Sequence, residues 1–253
     1  MGKFIAIANQ KGGVGKTTTA INLAAALSMA GRTCLIIDLD PQGNATSGLG
    51  IDKKPHEGSH LLLTNTARAI EAIVHSPIAR LDLIPSTTTL AEAETELAPM
   101  PDRVLRLRAA KRDLGQRYDV VVIDCPPSVG FFPSNALSCC DAVLVPIQCE
   151  YYAMEGLTQI LSGIGTIKAR LNPQLRLAGI LLTMFEPSTF AREVVSEVKG
   201  HFGDLVYKTR IPRDIALAEA PSHGLPIFQY DPRSRGARAY IELAKEIMRN
   251  EQG

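Results

Sequence analysis

The sequence lacks most of what would mark a specialised environment. No apolar run in its 253 residues approaches the roughly 20 needed to cross a bilayer. No C-x-x-C pair is present. The five cysteines, Cys34, Cys125, Cys139, Cys140 and Cys149, are scattered and odd in number. That excludes a disulfide framework and reads as reduced cytosolic thiols. Charge of one sign is also missing: 27 Lys and Arg face 26 Asp and Glu, a net +1. Binding to nucleic acid or an anionic surface would therefore need a local patch. There is no internal repeat, low-complexity tract or linker, and Lys3 to Ala8, ahead of the first motif, is too short for a signal peptide.

What is present is ordinary globular material, 45% hydrophobic and 21% charged, with length for one α/β domain or two small ones. Short apolar runs alternate with helical patterns throughout, and the expectation is a single domain over 1–253. The runs predict strands at Phe4–Ala8, Thr33–Ile37, Leu81–Ile84, Val120–Ile123, Ala142–Pro146, Leu177–Thr183 and Leu205–Ile211. Ala20, Leu23, Ala24 and Leu27 fall on one face of a helix that begins at Lys16 and ends at Gly31. Further helices are expected at Arg103–Gly115, Tyr152–Leu171, Phe190–His201 and Ser234–Met248. This alternation implies an α/β fold: a doubly wound, mostly parallel sheet with helices on both faces.

The segment from Asn9 to Thr19, NQKGGVGKTTT, lies between the first strand and first helix. It fails the strict pattern G-x-x-x-x-G-K-[ST], because Gln10 stands where the first glycine belongs and Lys11 is surplus. The strand–glycine loop–helix context still suits phosphate. Gly12, Gly13 and Gly15 let backbone N–H groups close on oxygens, and the helix N-terminus adds positive charge. Lys16 would reach β- and γ-phosphates and the Thr17 hydroxyl Mg²⁺. The bland alternative is a glycine turn without a ligand. Val120 to Asp124 is an apolar strand ending in a carboxylate suited to Mg²⁺. Asp38 and Asp40 end the second strand on one side of it; Asp40, braked by Pro41, is the better placed to orient water, and Asp38 can be structural.

Together, Lys11 to Thr18, Asp38 to Asn44, Ile123 to Ser128, Pro146 to Glu150 and Ala218 to Gly224 resemble the ParA/MinD family of deviant Walker A ATPases, chromosomal (Soj-like) branch, over essentially the whole chain. The resemblance implies an ATPase with ATP and Mg²⁺ held by Gly12, Gly13, Val14, Gly15, Lys16, Thr17 and Thr18. It places Pro212 near the adenine and Asp124 and Thr17 on the metal. Asp40 would position water, and the Cys125-Pro126-Pro127 turn would sense the γ-phosphate. It also implies an ATP-dependent homodimer in which Lys11 reaches the partner's phosphates, where a cation stabilises developing charge. Otherwise Lys11 is a solvated loop lysine.

Within the family, the implied function is a cytoplasmic, nucleoid-associated switch. It would bind nonspecific DNA, answer to a ParB-like activator and partition a chromosome or plasmid. The last helix packs Tyr240, Leu243, Ala244 and Ile247 on one face and leaves too little chain beyond it for a membrane helix. Two arginines that chromosomal relatives commonly carry are replaced here by Ser188 and Ala216. Arg192, Lys199, Arg213 and the acid-free run holding Arg233, Arg235 and Arg238 are the remaining candidates for DNA phosphates; that run also suits a solvated helix start. A relative that positions another cargo, such as a chemoreceptor array or protein organelle, shares this chemistry. A metabolic enzyme in which Lys11 serves a small acceptor would need a second substrate pocket.

Some motifs are decoys. His56-Glu57-Gly58-Ser59-His60 matches a zinc-protease pattern, but Pro55, Gly58 and Ser59 suggest a loop, not the helix it requires. Cys139-Cys140 reads as buried small residues of a helix rather than a redox site. Tyr151-Tyr152 suits core or interface. Thr87 to Thr89 reads as a helix N-cap.

Overall fold

Runs such as Val120-Val121-Val122-Ile123 offer no polar face, so they are stable only where both sides of a sheet are covered. In the computed structural model, which describes residues 1–55, 57–150 and 153–250, they form one eight-stranded sheet. The strands are β1 (Lys3–Ile7), β2 (Cys34–Asp38), β3 (Val74–His75), β4 (Leu81–Ile84), β5 (Val120–Asp124), β6 (Ala142–Gln148), β7 (Arg176–Phe185) and β8 (Val206–Pro212). Their order is β3-β4-β2-β5-β1-β6-β7-β8, and only β3 runs antiparallel to its neighbour.

Eleven α-helices are described: α1 (Lys16–Met29), α2 (Asn44–Gly48), α3 (Gly58–Thr64), α4 (Leu90–Leu97), α5 (Arg106–Gly115), α6 (Phe131–Cys139), α7 (Ala153–Arg170), α8 (Thr189–Phe202), α9 (Ile215–Glu219), α10 (Ile227–Tyr230) and α11 (Arg235–Asn250). The strand period of two divides the core. Phe4, Ala6, Val121 and Ile123 face one cluster with Leu62, Leu107, Phe131, Leu157 and Val194. Ile5, Ile7, Val120 and Val122 face the other, with Leu23, Leu27, Tyr240 and Leu243. Each fully buried Ile or Leu contributes about 1.5–3 kcal/mol over an exposed one.

All seven expected strands and five expected helices form, with shifted ends. The helix expected from Arg103 starts with a 3₁₀ turn at Arg103–Leu105, and Tyr152 lies outside the described residues. Tyr240, Leu243, Ala244 and Ile247 are all buried. Three expectations need correction. Gly58, Ser59 and His60 open a helix, because Ser59 N is captured by Pro85 O at 2.8 Å and Ser59 Oγ donates to Asp38 O at 2.6 Å. His60 Nε2 there meets Glu96 at 3.0 Å; His56 lies outside the described residues. Thr89 is the N-cap residue of α4, as expected, but makes no side-chain cap bond, its hydroxyl lying 3.3 Å from Thr87 Oγ1. Cys140 follows α6 and is buried like Cys139.

β8 ends the sheet, leaving backbone donors that invite another strand. Glu246 of α11 closes this edge by accepting Lys208 N at 2.7 Å and Thr209 N at 3.0 Å. Glu246→Ala is expected to lower the unfolding free energy by about 1–2 kcal/mol in urea titrations, because both donors lose a charged acceptor.

Candidate nucleotide site

β1 occupies the middle of the sheet with β5 on one side and β6 on the other, so the chain leaving Ile7 enters the crevice at the carboxyl ends of the strands. Asn9 anchors the exit: its Nδ2 donates to Pro146 O at 2.8 Å, and its Oδ1 accepts Lys11 N at 3.0 Å. Gly13 and Gly15 then take φ of 73° and 83°, which a side chain would strain. Gly15 opens α1. None of the N–H groups from Gly12 through Thr18 has an acceptor among the described residues. Such a run of unused donors at a helix N-terminus suits an anion.

The two lysines of the loop behave differently. Lys16 is 6% exposed and folds back under the loop, its Nζ donating to Lys11 O at 2.8 Å. Burial lowers its pKa, and Asp124, Cys125 and Asp40 oppose that. Lys11 points outward, its side chain 48% exposed and 2.7 Å from Glu150 Oε2.

Register places the carboxylates. Asp38 and Asp124 are direct partners on the adjacent ends of β2 and β5. Asp38 is fully buried and accepts Thr46 N at 2.8 Å, Thr46 Oγ1 at 2.7 Å and Asp40 N at 3.2 Å. It therefore ties α2 to β2, a structural role. Burial pushes its carboxyl up to about 6, against the Thr46 bonds. Asp40, 6% exposed, accepts Gln42 N at 2.9 Å. Asp124 is different: it is fully buried, and neither side-chain oxygen has a hydrogen-bond partner of good geometry among the described residues. Burial, then the Asp38 charge, raises its pKa well above the usual range, while the Thr17 hydroxyl opposes the rise. A buried carboxylate with unsatisfied oxygens, facing a hydroxyl below a run of free N–H groups, fits a hard divalent cation beside phosphate.

A cavity of ≈ 350 Å³ opens beside the loop, lined by Gly15, Thr18, Met184, Pro212, Ile215 and Tyr240, among others. Its apolar walls and size suit a nucleotide base. Of the expected nucleotide residues, Gly15, Thr18 and Pro212 line it, whereas Lys11 stands away on Glu150. Sequence reasoning missed Glu150 as the partner of Lys11 and Tyr240 as a wall. It also missed Gln148 and Thr183 beneath the loop, because each is joined to it only by the fold.

The basic candidates fall into separate groups. Arg192 and Lys199 lie seven positions apart on α8. Arg235 Nη2 donates to Arg213 O at 3.1 Å, and Arg238 Nη2 to Arg233 O at 2.9 Å. Ser188 has a structural reason to be serine: its Oγ caps α8, accepting Ala191 N at 3.0 Å. Ala216 lies in the first turn of α9, its N–H capped by Asp214 at 3.2 Å.

A glycine loop between a central parallel strand and its helix, with an acid at the end of the neighbouring strand, defines a P-loop nucleotide hydrolase. The profile of a family described as an AAA domain matches residues 2–177. The sporulation initiation inhibitor protein Soj of Bacillus subtilis is 52% identical over 252 residues, covering 99% of this chain and 100% of that protein. The chromosome partitioning protein ParA of Myxococcus xanthus is 47% identical, covering 99% and 89%. A crystal structure of cobyrinic acid a,c-diamide synthase from Mycobacterium smegmatis, with bound ATP analogue and magnesium, superposes with a TM-score of 0.88 at 36% identity, covering 100% of this chain and 96% of that one. The chain belongs to the ParA/MinD family of P-loop ATPases, in its Soj-like chromosomal ParA branch. No helix among the described residues is long and apolar enough to cross a membrane.

A carboxyl whose pKa is higher folded than unfolded binds its proton more tightly in the folded chain. Asp38, at about 6 against an ordinary 3.8, therefore favours folding increasingly as pH falls from about 6 toward 4 and opposes it above 6. Without nucleotide or magnesium, Asp38→Asn is expected to flatten the stability–pH curve across that window. The wild-type slope from this group stays below about 1.4 kcal/mol per pH unit, read from urea midpoints.

Proposed function

We propose that this ATPase is a dimerising switch that binds nonspecific DNA in its ATP state and partitions DNA with a ParB-like activator. The observation that carries this reading is the division of labour between the two loop lysines. Lys16 already lies under the phosphate cradle, while Lys11 stands outside it, on the rim where another subunit would meet it. Exposed apolar side chains stand on the segments that leave the same carboxyl ends of the strands: Val129 after β5 and Ile215 at the start of α9 are each 75% exposed, and Phe190 at the start of α8 is 46% exposed. Exposed apolar groups of this size favour a protein contact over solvent.

In this mechanism the N–H groups from Gly12 to Thr18 and the Lys16 ammonium hold the phosphates of ATP, and Pro212 and Tyr240 flank its base. Magnesium, held by Thr17 and Asp124, would neutralise charge on the β- and γ-phosphate oxygens. Asp40 orients the attacking water. Lys11 leaves Glu150 and reaches the phosphates of the second subunit, stabilising charge as the γ-phosphoryl group departs. The turn at Cys125-Pro126-Pro127 adjoins Asp124 and couples that departure to the interface. Arg192, Lys199, Arg213, Arg233, Arg235 and Arg238 supply the DNA-facing charge.

Ser188 and Ala216 favour a second reading in which the switch positions a protein cargo. The two differ in salt-dependent DNA retention: the partition reading requires ATP-dependent retention that falls steeply as salt rises, and none at low salt would select the cargo reading. A metabolic role would place Lys11 against a small acceptor.

Lys11→Ala is expected to keep ATP affinity within about threefold while reducing acceptor-free turnover by about 10²-fold or more. Gel filtration of Asp40→Ala with ATP is expected to show a dimer, and Val129→Asp a monomer. A monomer under every condition, or unchanged Lys11→Ala turnover, would sink the switch.

A further inference from the structure

A peptide's N–H and C=O point in opposite directions. A phosphate loop therefore keeps its N–H groups turned inward only if something receives its carbonyls on the outer side. Here those receivers come from distant strands. Gly13 O, whose peptide carries the Val14 N–H, accepts Gln148 Nε2 at 3.1 Å. Val14 O, whose peptide carries the Gly15 N–H, accepts Thr183 Oγ1 at 2.9 Å. Lys11 O, whose peptide carries the Gly12 N–H, is taken by Lys16 Nζ.

Thr183 and Gln148 are built for this position. Thr183 is 2% exposed near the end of β7, and its one hydroxyl proton is shared between Val14 O and Ile147 O, the latter at 3.0 Å. Its methyl carbon lies 3.8 Å from the point a side chain on Gly15 would occupy, so it also backs the loop sterically. Gln148 ends β6, and its amide also lies 2.7 Å from Met184 Sδ. Met184 takes φ of 50°, left-handed geometry rare for a residue other than glycine, asparagine or aspartate. Strain of that kind persists where surrounding contacts over-determine the backbone, commonly beside a binding site. Thr183, Met184 and Gln148 thus form one platform under the loop, and Met184 also lines the base cavity.

We infer that Thr183 and Gln148 are positioning residues for nucleotide binding: they hold the Val14 and Gly13 carbonyls outward so that the Gly15 and Val14 N–H groups are aimed at phosphate before it arrives. The inference rests on the ATP reading above but on neither dimerisation nor DNA. A threonine that merely filled core would be replaced well by valine and poorly by serine. A positioning hydroxyl requires the reverse.

Calorimetric titration of the full chain with ADP and with a nonhydrolysable ATP analogue, both with magnesium, tests this, alongside unfolding midpoints without nucleotide. Thr183→Val is expected to weaken both nucleotides about tenfold, and Thr183→Ser to stay within about twofold of wild type despite losing a methyl. Gln148→Met, which keeps length but removes the donor, is expected to weaken them about fivefold. Should Thr183→Val not fold, the half-buried Gln148 position carries the test alone. Folded Thr183→Val and Gln148→Met proteins that bind ADP within twofold of wild type would overturn the inference. A wild-type chain that binds neither nucleotide would instead remove the ATP reading, and this inference with it.

Discussion

Lys16 places a buried ammonium group among the carboxylates at the carboxyl ends of β2 and β5. Asp124 and Asp40 both hold its charge in place, while burial works against it. Two facing buried carboxylates, Asp38 and Asp124, would repel strongly without nearby positive charge or strong hydrogen-bond donors. The arrangement divides that cost. Asp38 is satisfied by Thr46, and Asp124 is left with unsatisfied oxygens facing the Thr17 hydroxyl. The loop adds donors, the helix adds its dipole, and the base cavity opens where α1 meets β7 and β8. The buried Lys16 ammonium ties the loop to Asp124 and Asp40 at that point.

The outward lysine obeys a different scale. An ion pair between half-exposed groups contributes about 0–1 kcal/mol, because water screens both charges. Glu150 therefore parks Lys11 without committing it. Moving Lys11 elsewhere costs little compared with what a cation can contribute beside phosphate in a site closed to water.

The central sheet and the loop were legible because their signals are local. A short, uninterrupted β-branched run fits a covered strand far better than a helix, and glycines before Lys-Thr at a helix start have few other uses. The resemblance added the residue roles. What escaped has a shared cause: its determinants lie far away in sequence. β3 has two residues and no pattern of its own. α3 begins on Gly58, with φ of 55° and Pro85 O so close that no side chain would fit; composition alone suggests a loop there. Ser188 looked like a missing arginine and is a helix cap. Gln148 and Thr183 meet the loop across 135 and 169 positions of sequence. Spacing along the chain carries no trace of such contacts.

The hydroxyls of Thr19 and Tyr240 lie 3.1 Å apart, buried, joining the phosphate-loop helix to the last helix across 221 positions of sequence. Tyr240 also walls the base cavity, together with Pro212 and Ile215. The phosphate cradle is thus local in sequence, within Gly12 to Thr18, whereas the walls that would grip a base come from β7, β8, α9 and α11. Docking of α11 on α1 therefore completes a pocket that the loop cannot form by itself.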